Sequence, residues 1–81
     1  MNDMSIEQRV KRVFGDLFEM DSDEVKSTLE MNDMEEWDSL MHIQLILALE
    51  NEFSIKFTTQ QILNMKSIAT IIETVQQKEK N

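Results

Sequence analysis

The sequence predicts an all-α fold: a four-helix bundle with a short third helix and a long loop between helices one and two. Three observations predict it. Proline is absent and glycine occurs once, at Gly15, which argues against a turn-rich β fold. The helix formers Leu, Met, Glu, Gln and Lys are plentiful, and a small bundle is the default for such a composition. Apolar residues also recur at three- and four-residue spacing in separate segments. With 81 residues the chain is expected to form one domain over 1–81, burying only about 60–65% of its unfolded surface around a small core.

Ser5-Ile6-Glu7-Gln8 is a helix start, with Ser5 as cap and Gln8 in capping-box position. Ile6, Val10, Val13, Phe14, Leu17 and Phe18 then form one apolar face running to about Glu19. Gly15 within it weakens the helix relative to Ala and permits close packing. Residues 20–37 show no strong period and read as a long loop with one helical turn near Asp23–Ser27. Val25, Leu29, Met31, Met34 and Trp37 are expected to tack that loop to the core. Trp37 either joins them or lies partly exposed beside Ser39. Loops longer than about 12–15 residues are uncommon in compact domains and are often functional.

The second helix is read from about Ser39 to Glu52, with a core stripe of Leu45, Ile46, Leu49 and Phe53. Leu40, Met41, Ile43 and Leu47 extend beyond one face, so this helix is both central and apolar towards a partner. Residues 54–57 form a linker in which Ile55 and Phe57 turn differently. Thr58 or Thr59 caps a short helix through about Leu63, and Ser67 caps the last, whose stripe is Ile68, Ile71, Ile72 and Val75. The polar end, residues 76–81, is expected to fray.

Function classes narrow quickly. No apolar run approaches the roughly 20 residues that span a bilayer. The start Met-Asn-Asp-Met-Ser resembles neither a signal nor a transit peptide, so a cytoplasmic location without membrane insertion is expected. The net charge of −8 is uneven: residues 1–15 sum to +1, residues 16–38 to −9 and residues 39–81 to zero. The negative excess thus lies in the approach to Ser39, where it repels nucleic acid and steers basic protein partners. The acidic stretch Asp21-Ser22-Asp23-Glu24-Val25-Lys26 fails as a calcium loop, because Val25 replaces a ligand and Lys26 stands where the sharp turn needs Gly. The methionines read as core filler or adaptable contact surface. With no Cys and one His, no metal site and no catalytic set is expected, and the protein is not expected to be an enzyme. His42 is expected to be exposed or partner-facing, with a minor alternative in which it acts on Ser39.

Asp38 and Ser39 mark the loop-to-helix junction. Either or both could simply cap the helix. The same free N–H groups and dipole also make a hydroxyl there a good attachment point for a phosphate.

Asp38-Ser39-Leu40, followed by an apolar helix ending Ala48-Leu49-Glu50-Asn51-Glu52-Phe53, resembles an acyl carrier protein. Ser5-Ile6-Glu7-Gln8-Arg9-Val10 is similar to the family's first helix and Ser67-Ile68-Ala69-Thr70-Ile71-Ile72 to its last, so the likeness spans nearly the whole chain. It implies a monomeric, right-handed-twisted bundle in which Ser39 carries 4'-phosphopantetheine, added from coenzyme A by a separate phosphopantetheinyl transferase. Asp38 would help hold the Mg²⁺ during that transfer. Acyl or aminoacyl groups would ride as thioesters on the arm's thiol and be presented to acyl-loading, acyl-transfer or condensing enzymes. The docking patch would comprise Leu40, Met41, Ile43, Gln44, Leu47 and Glu50, with the preceding acids guiding approach. Leu47, Leu63 and Ile68 are possible walls for a sheltered cargo, or ordinary core. Trp37, Met41, His42, Gln44 and the neutral Thr59-Gln60-Gln61 depart from the small or acidic residues usual in carriers of fatty acid synthesis. They point to a carrier for a specialised pathway (polyketide, lipopeptide, surface glycan or aminoacyl transfer). The competing reading is a non-carrier adaptor that binds proteins through the apolar helix 39–53, with Ser39 only a cap.

Overall fold

The local sequence marks where each helix starts and stops. In the computed structural model, which describes residues 5–80, α1 spans Ile6–Phe18, α2 Ser39–Phe53, α3 Thr59–Asn64 and α4 Ile68–Lys80. The all-α four-helix architecture expected from the sequence is the one observed. Ser5 Oγ accepts from the Gln8 N–H at 3.1 Å and Gln8 Oε1 from the Ser5 N–H at 2.9 Å. Thr58 and Gln61 repeat that reciprocal pair at 3.1 and 2.9 Å, and Ser67 and Thr70 do so before α4 at 3.1 and 3.0 Å. Each such cap stabilises its helix by about 1 kcal/mol.

α1 ends where Glu19 turns left-handed (φ 59°) and both Glu19 and Met20 donate to the Gly15 carbonyl. A side chain at position 15 would run into the Met20 carbonyl. The close packing expected of this glycine is thus the return of the chain over its own helix.

The acidic loop holds two 3₁₀ turns, Ser22–Glu24 and Met31–Asp33. The sequence reading expected one turn, near Asp23–Ser27; the observed first turn lies slightly earlier, and the second was unforeseen. Both close locally, through an acid three residues on: Glu24 accepts from the Asp21 N–H at 3.1 Å and Asp33 from the Glu30 N–H at 2.9 Å. The loop is then tied to the last helix by backbone. The first N–H groups of α4, at Ile68 and Ala69, donate to Leu29 and Ser27 carbonyls at 2.9 and 3.0 Å, and Met31 N–H donates to Lys66 O at 2.8 Å. The loop therefore satisfies donors that a helix start otherwise leaves unpaired. Val25 and Trp37 are buried, with Leu29, Met31 and Met34 packed against the core as expected.

α1 packs on α2, α4 and the first 3₁₀ turn around Val10, Phe14, Leu45, Leu49, Ile68 and Ile71, all fully buried. Met65, in the α3–α4 link, is also fully buried, a core residue that its unpatterned surroundings conceal. α2 has no cation in its last turn, and α1 supplies one. Arg9 Nε lies 3.1 Å from Glu52 Oε2, its Nη2 donates to the Glu52 carbonyl at 3.0 Å, and its guanidinium sits 4.3 Å from the Phe53 ring centroid. α4 continues through Lys80, so the polar stretch 76–80 belongs to the last helix. Lys78 and Lys80 lie in its last turn, where cations favour the helix. Asn81, the rest of the end expected to fray, lies outside the described residues. No helix among the described residues is long and apolar enough to cross a membrane.

Candidate attachment site at the start of α2

Asp38 sets the helix start. Its backbone is extended, its carbonyl accepts from the His42 N–H at 2.8 Å, and its Oδ1 accepts from the Met41 N–H at 2.9 Å. Of the two residues that could have capped α2, Asp38 performs the task. Ser39 is the first helical residue, it is exposed, and the described residues give its hydroxyl no hydrogen-bond partner. The N–H groups of Ser39 and Leu40 have no intrahelical acceptor. An unshared hydroxyl among free amides suits a phosphate ester, both by hydrogen bonding and by the helix dipole.

This hydroxyl stands on a rigid mount. Trp37 is 1% exposed, which resolves its two readings in favour of the core. Its ring meets Phe14 and Phe18 edge-on at centroid distances of 5.0 and 6.2 Å. Its Nε1–H donates to His42 Nδ1 at 3.0 Å. An indole N–H can only donate, so Nδ1 must accept and the imidazole proton resides on Nε2. Nε2–H in turn donates to the Ile62 carbonyl in α3 at 3.0 Å. His42 thus links the residue before Asp38-Ser39 to the third helix. It is buried, which corrects the expected exposed or partner-facing histidine. Position 42 shares the helical face of Leu45, Ile46, Leu49 and Phe53, so the spacing itself carried the signal. With both ring nitrogens engaged, His42 is committed to structure rather than to chemistry on Ser39.

The resemblance implies a partner face of six residues. Leu40, Ile43 and Leu47 are 65%, 56% and 60% exposed, and with exposed Gln44 they form a ridge at three- and four-residue spacing. Met41 is half-buried. Glu50 is half-buried too, and its carboxylate accepts from the Phe57 N–H at 2.9 Å, shaping the α2–α3 link. Since Glu52 is paired with Arg9, both acids of α2 are engaged within the fold. The exposed ridge is uncharged, whereas Glu35, Glu36 and Asp38, all exposed, stand just before it.

A cleft of about 390 Å³ opens between α2 and α3, lined by Ser39, His42, Ile43, Ile62, Leu63 and Lys66, together with Met31 from the loop. Of the three proposed wall residues only Leu63 lines it. Leu47 borders a separate depression beside Ser54 and Ile55, and Ile68 is fully buried in the core. Among the described residues no group of three or more His, Cys, Asp or Glu side chains is placed to hold a metal ion.

The comparisons with known proteins agree with this geometry. Residues 1–81 match the family model described as the C-terminal ACP domain of the highly reducing polyketide synthase sdgA. An acyl carrier protein of Akkermansia muciniphila is 28% identical over 72 residues, covering 89% of this chain and 90% of that one. A match over the whole chain, on a four-helix fold with an exposed serine opening the second helix, shows that the chain belongs to the acyl carrier protein family.

Proposed function

We propose that the protein holds acyl or aminoacyl intermediates as thioesters on a 4'-phosphopantetheine arm attached through a phosphodiester to Ser39. The single observation that carries this reading is the division of labour at the start of α2. Asp38 caps the helix through Oδ1, and the Ser39 hydroxyl is left exposed at the positive end of the dipole. That also counts against the adaptor reading, in which Ser39 serves only as the cap.

Each residue then has a task. Ser39 Oγ would form the new bond to the pantetheine-side phosphorus of coenzyme A, as the phosphoanhydride bond breaks and adenosine 3',5'-bisphosphate leaves, with the serine proton lost to the transferase or to water. The free N–H groups of the first turn favour the negative phosphodiester that results. Asp38 Oδ2, which makes no hydrogen bond among the described residues, is available to the Mg²⁺ used in attachment. When bound, the arm supplies the thiol that a chain without cysteine lacks. Carriage rather than catalysis follows, because a tethered thioester raises the effective concentration of cargo at a docked partner's active site.

The Leu40–Ile43–Leu47 ridge supplies apolar contact for cytoplasmic synthase, acyl-loading and transfer enzymes. The acids before Ser39 accelerate their encounter without fixing the complex. The polyketide synthase in the name of the matching family model favours polyketide-type partners among the specialised pathways.

Thiol titration tests the reading cleanly, since the chain contributes no thiol of its own. After incubation with coenzyme A, Mg²⁺ and a phosphopantetheinyl transferase, and removal of free coenzyme, one thiol per chain is expected. A chain still free of thiol after several transferases would contradict it.

A further inference from the structure

Resting on the carrier reading, we infer that Lys66 is a positioning residue for the prosthetic arm: its ammonium engages the phosphodiester on Ser39 and turns the arm across the α2–α3 cleft. The loop before Ser39 and the cleft that Ser39 lines differ in charge and in polarity. On the loop side stand the exposed acids Glu35, Glu36 and Asp38, which repel a phosphodiester. Ser39 also lines the cleft, and of the lining residues only Lys66 carries positive charge; the cleft's histidine has both ring nitrogens committed to Trp37 and Ile62. The Lys66 side chain makes no ion pair among the described residues, so its ammonium is available.

Its backbone, by contrast, is fixed. The Lys66 carbonyl accepts from the Met31 N–H at 2.8 Å, and the next residue, Ser67, bridges to Glu30. The side chain therefore springs from a fixed backbone position rather than from a loose linker. Leu63 and Ile43, 59% and 56% exposed, line the same cleft and offer apolar cover to the pantetheine methyls. The cleft's volume, about 390 Å³, falls at the small end of the roughly 300–1,000 Å³ typical of ligand sites. Repulsion from the loop acids and attraction with apolar contact at the cleft both favour an arm seated in the cleft.

The experiment uses protein loaded with ¹³C-methyl-labelled phosphopantetheine, its mass increment verified, as wild type, Lys66→Gln, Lys66→Glu and Lys66→Arg. Because the Lys66 side chain is exposed and the anchoring bond is made by its carbonyl, all four are expected to fold alike. Nuclear Overhauser contacts from the arm methyls to Ile43, Ile62 and Leu63 methyls report the docked arm. In wild type these contacts are expected, together with a shift of the Lys66 ε-CH₂ signal on loading. Lys66→Gln is expected to weaken the contacts about two- to five-fold, the range of one exposed charge pair, and Lys66→Glu more, while Lys66→Arg retains them. Contacts absent from loaded wild type, or equally strong in Lys66→Gln, would overturn this inference alone. A chain that takes no increment overturns the carrier reading and this inference with it.

Discussion

The Trp37–His42–Ile62 bridge makes a sharp energetic prediction, because Trp37 is 1% exposed and its indole N–H has one partner. His42→Ala leaves that N–H buried and unpaired, which costs about 1–3 kcal/mol. It also removes a buried ring, so the total loss is expected at about 2–4 kcal/mol. For 81 residues the whole stability is about 4–12 kcal/mol, so this one side chain decides a large share of it. His42→Leu separates the two effects: it restores apolar volume yet leaves the N–H unsatisfied, and about 1–3 kcal/mol of loss is expected to remain. In a Trp37→Phe background the orphaned donor is gone, and His42→Leu is then expected to cost little, giving a coupling of about 1–2 kcal/mol. Urea unfolding followed by circular dichroism at 222 nm measures all four members of the cycle without depending on the single tryptophan. A His42→Leu variant as stable as wild type, or strictly additive losses, would refute the bridge.

Three further outcomes follow from the same geometry. Asp38→Ala is expected to lose about 1 kcal/mol as a helix cap, whereas Ser39→Ala, with no cap to lose, stays within about 0.5 kcal/mol of wild type by the same unfolding assay. Gly15→Ala gains up to about 1 kcal/mol of helix propensity but forces a side chain against the Met20 carbonyl. A net loss of about 1–2 kcal/mol is expected, and a stabilised variant would contradict the close return of the chain. The Lys11 ammonium, hydrogen-bonded at 2.9 Å and aided by charge attraction, holds the Glu7 carboxyl below its ordinary value, with a weaker contribution from Ser27. A lowered carboxyl stabilises the fold above the unfolded value and loses that contribution as pH falls through the lowered one. Lys11→Met is therefore expected to return the Glu7 carboxyl towards 4.5 by NMR titration and to remove that part of the acid-side loss of stability.

How far the sequence reached depends on whether a feature is local. Ser5 with Gln8, Thr58 and Ser67 were readable as caps because their partners lie three residues away. The stripes Leu45-Ile46-Leu49-Phe53 and Ile68-Ile71-Ile72-Val75 were readable because burial repeats with the helical turn; all eight are buried. His42 was misread although it shares that period, because a polar type outweighed its position. Other features depend on residues far apart in the chain. Leu29 and Ser27 carbonyls satisfy the start of α4, and Arg9 neutralises the end of α2 from another helix. Glu50 turns inward to Phe57. No spacing rule announces such pairings. At the site, Asp38 and Ser39 were both legible as junction residues. Which one capped and which stayed free required the geometry of the first turn. The cleft and its lysine needed α3 beside α2.

The central claim is that Ser39 carries the arm, and localised mass tests it most directly. Wild type and Ser39→Ala are each incubated with coenzyme A, Mg²⁺ and a broad-specificity phosphopantetheinyl transferase, then measured intact and as peptides. One phosphopantetheine increment is expected on wild type, located on the peptide holding Asp38-Ser39-Leu40, and none on Ser39→Ala. An increment that persists in Ser39→Ala, or a wild-type chain that no transferase modifies, would contradict the account.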